Sequence, residues 1–204
     1  RDLIMDPFCG VGTTNVVAQS MGIRSIGFDI SPIALLAART KTYCYSVEDK
    51  QDIINIAKAM KKSQKAATPD SALIKSAYHP DVMDSLNTLF GNILTIKNTP
   101  RREFLMLAYL AIVESSSNRR KDGNGLKTAF KPPKFLDTNG DFLAHVERMI
   151  EDLEHSNYET EAEITDGSFL DADIEHLKNK IALTIFSPPY ANCFDYFEVY
   201  KLEM

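Results

Sequence analysis

The run Leu3-Ile4-Met5-Asp6-Pro7-Phe8-Cys9-Gly10-Val11-Gly12-Thr13-Thr14 constrains this chain more than any other stretch. A short apolar segment stops at Asp6-Pro7 and two glycines, which reads as a buried strand followed by a tight turn. Glycines there let the backbone turn sharply and approach a ligand, beside the positive end of the next helix. That helix is expected over Thr13–Met21, with Gly22 as its C-terminal cap. Ser25–Phe28 reads as a second strand ending at Asp29. Ser31-Pro32 reads as the cap and first position of a helix to about Lys41. The βαβα order predicts an open parallel α/β sheet. The glycine turn is no Walker loop, since no Gly-Lys-Ser/Thr comes after it, and Asn15 stands where a dinucleotide fingerprint has its third glycine. Asp29, nineteen positions after Gly10, is placed to accept hydrogen bonds from both ribose hydroxyls of an adenosine-containing cofactor.

Downstream the pattern changes. Residues 48–66, 80–97, 101–117 and 141–154 carry helical signals with few strand signals between them. In the last of these, Phe142, Val146, Met149, Ile150 and Leu153 share one face. Phe104–Val113 is apolar nearly all round and is expected to be buried. Asn118–Lys134, with Gly123, Gly125 and Pro132-Pro133, reads as a long loop. Strand signals return at Glu163–Thr165 and at Ile181–Phe186. The latter reads as a buried strand that stops at Ser187-Pro188-Pro189-Tyr190. The organisation expected is therefore a βαβα half at 1–45, a helical insertion at 46–158, and a return to the sheet at 159–204.

Charge and cysteine usage narrow the function classes. Net charge is −5, yet Arg119, Arg120, Lys121, Lys127, Lys131 and Lys134 face only Asp122 within 118–134. A basic island on an acidic body is a candidate surface for nucleic-acid phosphates, and equally a solvated loop. Cys9, Cys44 and Cys193 are scattered without CxxC pairing, and the four histidines are dispersed. Neither a disulfide framework nor a metal site is suggested, and a reducing cytoplasm fits. No stretch approaches the roughly 20 apolar residues of a membrane span, and no signal-peptide pattern opens the chain.

Asp6-Pro7-Phe8-Cys9-Gly10-x-Gly12-Thr13-Thr14 resembles the S-adenosylmethionine motif of the DNA amino-methyltransferases, and Ser187-Pro188-Pro189-Tyr190 resembles their catalytic motif. Asp195-Tyr196 through Lys201-Leu202-Glu203 is also similar to the stretch just after that motif in many family members. The resemblance implies a Rossmann-like class I methyltransferase sheet, incomplete here, of order 3-2-1-4, with a target-recognition region in the insertion. It implies S-adenosyl-L-methionine as cofactor, held by Asp6, Pro7, Phe8, Gly10, Gly12, Thr13, Thr14, Asp29 and Ile30. Asp166, Ser168 and Phe169 of Thr165-Asp166-Gly167-Ser168-Phe169 would line the adenine, although the family more often has Gly-Asp-Ser there. Double-stranded DNA is the implied partner, and a restriction endonuclease is admitted as a second. Seven strands are expected of the family fold and about four are readable, so the chain is expected to be a fragment or to lack flanking parts.

An exocyclic base amine is a poor nucleophile because its lone pair is delocalised into the ring. In the family's chemistry, Ser187 and the Pro188 carbonyl would accept hydrogen bonds from that amine. The lone pair then becomes available for direct in-line transfer. Pro188 and Pro189 would stiffen the loop, and Tyr190 would stack on a flipped-out base. Cytosine C5 methylation needs a Pro-Cys nucleophile, which is absent, and Cys193 reads as a packing residue. Ser-Pro-Pro-Tyr favours N4 of cytosine over N6 of adenine. RNA guanine N2 methylation and a catalytically silent nucleic-acid-binding module are the remaining alternatives.

Overall fold

A computed structural model describes residues 3–60, 64–122, 125–128, 137–154, 160, 162–188 and 200–203. In chain order the elements are β1 (Leu3–Asp6), α1 (Thr13–Ser20), β2 (Arg24–Asp29), α2 (Pro32–Thr42), α3 (Val47–Lys58), α4 (Ala72–Ala77), α5 (Pro80–Leu94) and α6 (Thr99–Val113). They continue with β3 (Arg119–Lys121), β4 (Leu126–Thr128), α7 (Thr138–Glu154), β5 (Ala162–Asp166) and β6 (Ile181–Thr184). The chain divides into two compact units. One comprises Arg1–Tyr45 and Leu153–Ala191, the other Ser46–Asp152 and Asn192–Met204.

The first unit holds a four-stranded sheet of order β5-β2-β1-β6, with every pair parallel. In order of succession within that sheet this is the expected 3-2-1-4. Local sequence explains the first crossover. Gly22, at φ 69, closes α1, with Gly22 N donating to Gln19 O and Ile23 N to Ala18 O. This paired pattern is the Schellman stop, which favours glycine in the left-handed region. Ser31 Oγ accepts from Ala34 N, and Pro32 opens α2. The two faces of β2 then divide the labour. Ile26 and Phe28 are buried with Leu177, packed by Leu3, Met5, Phe169, Ala172 and Ile181. Each such large apolar side chain contributes about 1.5–3 kcal/mol on full burial. On the α1 face, Ser25 Oγ accepts from Asn15 Nδ2 at 3.1 Å.

One expectation is corrected in this unit. Ile181–Phe186 was expected to form a buried strand, but β6 ends at Thr184, and Leu183, Ile185 and Phe186 are 49%, 45% and 55% exposed. β6 stands at the edge of the described sheet. An apolar run specifies a strand, but its position across the sheet is a property of the topology.

The second unit is mostly helical. Helix α3 opens with a capping box, in which Ser46 Oγ accepts from Asp49 N while Asp49 accepts from Ser46 N. Burial works against the Asp49 carboxylate. Hydrogen bonds from Ser46 and Arg101 outweigh it and hold the group below the usual carboxylate range. Helix α3 stops at Lys58 rather than running to 66, and the reason is tertiary. Ala66 N donates to Asn87 O at 2.9 Å and Asn92 Nδ2 to Gln64 O at 3.1 Å, so α5 captures this backbone in a non-helical course. Gly91 permits the approach, since a Cβ there would stand 2.6 Å from Ala66 N. Helices α5, α6 and α7 lie within a few residues of expectation, and the short α4 was not foreseen. In α6, Phe104, Leu105, Ala108, Ile112 and Val113 are buried while Ala111 is exposed, so the helix buries one face and not its whole circumference as its apolar character led one to expect. Phe142, Val146 and Ile150 bury the expected face of α7.

The basic segment is also corrected. Part of Asn118–Lys134 is no loop but an antiparallel hairpin, pairing Arg119 with Thr128, Arg120 with Lys127 and Lys121 with Leu126. Lys131 and Lys134 lie outside the described residues.

Candidate cofactor and catalytic site

The carboxyl ends of the four parallel strands build the site. At the end of β1, the buried Asp6 accepts a hydrogen bond from Phe8 N at 3.0 Å, which turns the chain sharply after Pro7. Cys9 N donates to Phe28 O at 2.9 Å and stitches the loop to β2. Gly10 and Gly12 come next at φ 53 and φ 79, a region that L side chains rarely adopt. Gly12 also lies against α2, where an added Cβ would meet Ala38 Cβ at 2.9 Å. By contrast, an added Cβ at Gly10 would meet nothing within 4 Å, so the loop opens onto free space there.

Asp29 holds this loop in shape. Its Oδ2 accepts from Gly10 N and its Oδ1 from Ser31 N, both at 2.8 Å. Each carboxylate oxygen retains a further acceptor site. Across the sheet Asp29 pairs in register with Asp166, and Gly167 N donates to Asp29 O at 2.9 Å. Helix α1 begins at Thr13 and Thr14 with Gly12 as N-cap and no side-chain cap, so its first-turn N–H groups remain open to an anion. Ile30, 64% exposed, comes directly after Asp29 at the same end of the sheet.

Behind the loop, burial pushes the Cys9 thiol up to about 12, with the charges of Asp29 and Asp6 adding to the effect. A thiol held protonated in this way is a packing group and not a nucleophile.

The turn read as catalytic follows β6. Ile185 N donates to Met5 O at 3.0 Å, carrying the chain alongside β1 just before Ser187. The Phe186 ring stands 6.3 Å from that of Phe8. The loop read as cofactor-binding and the turn read as catalytic are thus neighbours. Ser187 and Pro188 are exposed. Pro189, Tyr190, Cys193 and Asp195-Tyr196 lie outside the described residues.

Two of the residues expected to line an adenine also make contacts within the protein. Phe169 packs edge-on against Phe28 at 5.4 Å within the sheet core, and Ser168 Oγ accepts from Leu170 N at 3.2 Å to cap a short 3-10 turn. Asp166 lies on the rim of a cavity of about 270 Å³, with Glu163, Asp171, Asp173 and His176. That cavity takes no residue from the Asp6–Thr14 loop, Asp29 or Ser187, so it is distinct from the strand-end site.

The basic residues are largely engaged inside the second unit. The Arg119 guanidinium donates to Thr128 Oγ1 and Ser76 Oγ, and Arg120 Nη1 donates to the Glu114, Ser117 and Arg119 carbonyls. Lys121 pairs with Glu114 and Glu203, and Lys127 pairs with Asp122 on the surface. Among the described residues, no group of three or more His, Cys, Asp or Glu could hold a metal ion, and no helix is long and apolar enough to cross a membrane.

Sequence reasoning missed Gly27, which supports the site from below. A Cβ there would meet Asn15 Oδ1 and Cys9 Cβ, both at 2.8 Å. The signal was available, because a glycine inside a strand marks a close approach. The contact between Phe8 and Phe186 left no comparable signal.

The DNA methylase family model matches residues 1–40. The type II methyltransferase M.BsoBI of Geobacillus stearothermophilus is 26% identical over 240 residues, covering 100% of this chain and 46% of that protein. M.AvaI of Nostoc sp. is 23% identical over 227 residues, covering 98% of this chain and 47% of its own. M.MjaII of Methanocaldococcus jannaschii is 47% identical over 53 residues, 26% of this chain and 10% of that protein. The chain spans about half the length of the curated relatives it matches end to end. No solved structure matches it significantly. These similarities support an amino-methyltransferase of the N4/N6 DNA family, and the Rossmann-like parallel sheet agrees with that assignment.

Proposed function

We propose that this chain is the cofactor-binding and catalytic portion of a type II DNA methyltransferase that methylates N4 of cytosine. The observation that carries the reading is the meeting of two turns. Asp29 locks the glycine loop through Gly10, and Phe8 of that loop lies beside Phe186, next to Ser187. In open α/β sheets, ligands bind at such strand ends.

S-adenosyl-L-methionine fits the residues present. The space above Gly10, the open N–H groups of α1 and the remaining acceptor sites of Asp29 suit its amino-acid and ribose parts. When bound, it supplies an electrophilic methyl group on a sulfonium. The chain's own contribution is to aim the base. Ser187 and the Pro188 carbonyl would accept the amine's hydrogen bonds, localise its lone pair and ease the positive charge that grows on the nitrogen as the N–C bond forms and the sulfonium–methyl bond breaks, the nitrogen then losing one proton to solvent. Tyr190 would stack on the base once it leaves the duplex. Asp166 and Ile30 are proposed to border the adenine. Ser168 and Phe169 are proposed to shape that border from behind.

Double-stranded DNA is the proposed substrate, with a restriction endonuclease as a partner of the intact protein. Arg119, Arg120 and Lys127, with Lys131 and Lys134, are proposed phosphate contacts. Lys121 is excluded because two carboxylates already hold it. The full-length protein should therefore place methyl groups on duplex DNA, read by mass spectrometry of released nucleosides. N4-methylcytosine is the expected product. N6-methyladenine would transfer the same geometry to the other base, and no modified base at all would overturn the reading.

A further inference from the structure

Asn15 is wholly buried in the first unit, yet its amide is only half used. Its Nδ2 donates to Ser25 Oγ of β2 at 3.1 Å, and Ser25 is itself 2% exposed. Its Oδ1 has no partner among the described residues. A Cβ added to Gly27 would stand 2.8 Å from Asn15 Oδ1 and 2.8 Å from Cys9 Cβ, so the two side chains share the place that Gly27 leaves empty. A buried carbonyl oxygen without a donor lowers stability, whereas apolar side chains of the same shape at both positions would not. Packing alone therefore does not call for an amide here.

The place of Asn15 in the chain does. It is the third residue of α1. The helix's first internal bond runs from Val16 N to Gly12 O at 2.9 Å, and Gly12 supplies no side-chain cap. Thr13 and Thr14 therefore present their N–H groups ahead of that bond. Thr13 is exposed and Thr14 half-buried. In a dinucleotide fingerprint the third glycine, on the helix, brings helix and strand close. Here the glycine is on the strand, at Gly27, and the helix contributes an amide, so a directed bond ties α1 to β2 one residue after Thr14.

From these contacts we infer that Asn15, through its bond to Ser25, is a positioning residue for the anionic end of the cofactor, fixing the first turn of α1 so that the Thr13 and Thr14 N–H groups aim at a carboxylate. The inference rests on the proposed binding of S-adenosyl-L-methionine. Apolar contact lets a helix roll on a sheet, whereas a hydrogen bond sets a direction. The pull of a helix N-terminus on an anion falls off within the first turn, so a small roll of α1 weakens the hold on the carboxylate. Asp29 belongs to β2 and is fixed by Gly10 N and Ser31 N, so the ribose side of the site does not depend on Asn15.

The test compares two ligands of the full-length protein by calorimetry. S-adenosylhomocysteine carries the amino-acid end, and 5′-methylthioadenosine lacks it. The variants are Asn15→Leu, which keeps the branched shape, Ser25→Ala, which removes the acceptor on the strand, and the two together. Each should bind S-adenosylhomocysteine about tenfold more weakly, the scale of one lost hydrogen bond to a charged group. Affinity for 5′-methylthioadenosine should stay at the parent's value. The double variant leaves neither polar group unpaired, so it should melt no lower than the parent and still show the loss. Equal loss for both ligands, or a loss confined to variants that also melt lower, would make Asn15 a packing residue and overturn the inference, as would unchanged affinity for both. If the parent binds neither ligand, the reading of the site fails separately. Hydrogen exchange then decides the anchor, because the double variant should exchange faster at Val16, the first bonded amide of α1. Unchanged exchange there overturns it.

Discussion

The Asp6–Thr14 loop and the 118–134 segment both stand out in the sequence, one for its glycines and the other for its charge. The glycine loop folds as read. Left-handed backbone at Gly10 and Gly12 is a local demand that the residues themselves meet, and Asp29 completes it from nineteen positions away. The basic segment does not fold as read. Its first half is a hairpin whose cations bind carbonyls, hydroxyls and carboxylates of its own unit. Backbone requirements are written into residue types, whereas a charge count says nothing about which groups the charges will meet.

The sharpest way to break that comparison is Asp29→Ala. It removes the acceptor for Gly10 N and Ser31 N, and with it the proposed ribose contact. Cofactor affinity should fall by about 1.5–3 kcal/mol, the range for charge-assisted hydrogen bonds. Calorimetry on a folded variant checks this, and unchanged affinity would remove Asp29 from the site. A smaller effect is expected on the other side of the comparison. Neutralising Arg120 and Lys127 together should flatten the plot of log DNA affinity against log salt by up to about two, at roughly 0.9 per phosphate contact. An unchanged slope would mean that the hairpin faces no DNA at all.

The smallest effect belongs to the helical unit. Asp49 has its pKa depressed in the folded state, so the stability it contributes is present above the ordinary carboxylate value of about 3.9. It is lost as pH falls through the lower folded value. Asp49→Asn should therefore melt below the parent at neutral pH, by an amount near the ~1 kcal/mol typical of a cap. The gap should close as pH drops below about 4. A gap independent of pH would assign the loss to packing.

Much of the strand-end site was legible because its signals are short in range. Asp6-Pro7, Gly10, Gly12, Gly22 and Ser31-Pro32 each specify a turn or cap that needs only its neighbours. Asp29 was legible by its spacing. Gly27 should have been, since glycine within a strand implies that something lies close above it. Helix limits were less so. Lys58 ends α3 because Asn87 and Asn92 of α5 hold the backbone beyond it. The edge contact of the Phe169 ring with Phe28 was not legible either, because it joins residues far apart in the chain.

By itself, then, the sequence determined the order of strands and helices in the first unit, the turns at Gly10 and Gly12, and the resemblance to the DNA amino-methyltransferases. These arise from steric and hydrogen-bonding preferences that act over a few residues. Only the tertiary structure decided that β6 lies at the edge of the described sheet, that Phe8 meets Phe186, and that Lys121 closes on Glu203. Each of these joins residues far apart in the chain, and which side chains share a surface is settled only when the whole backbone has taken its path.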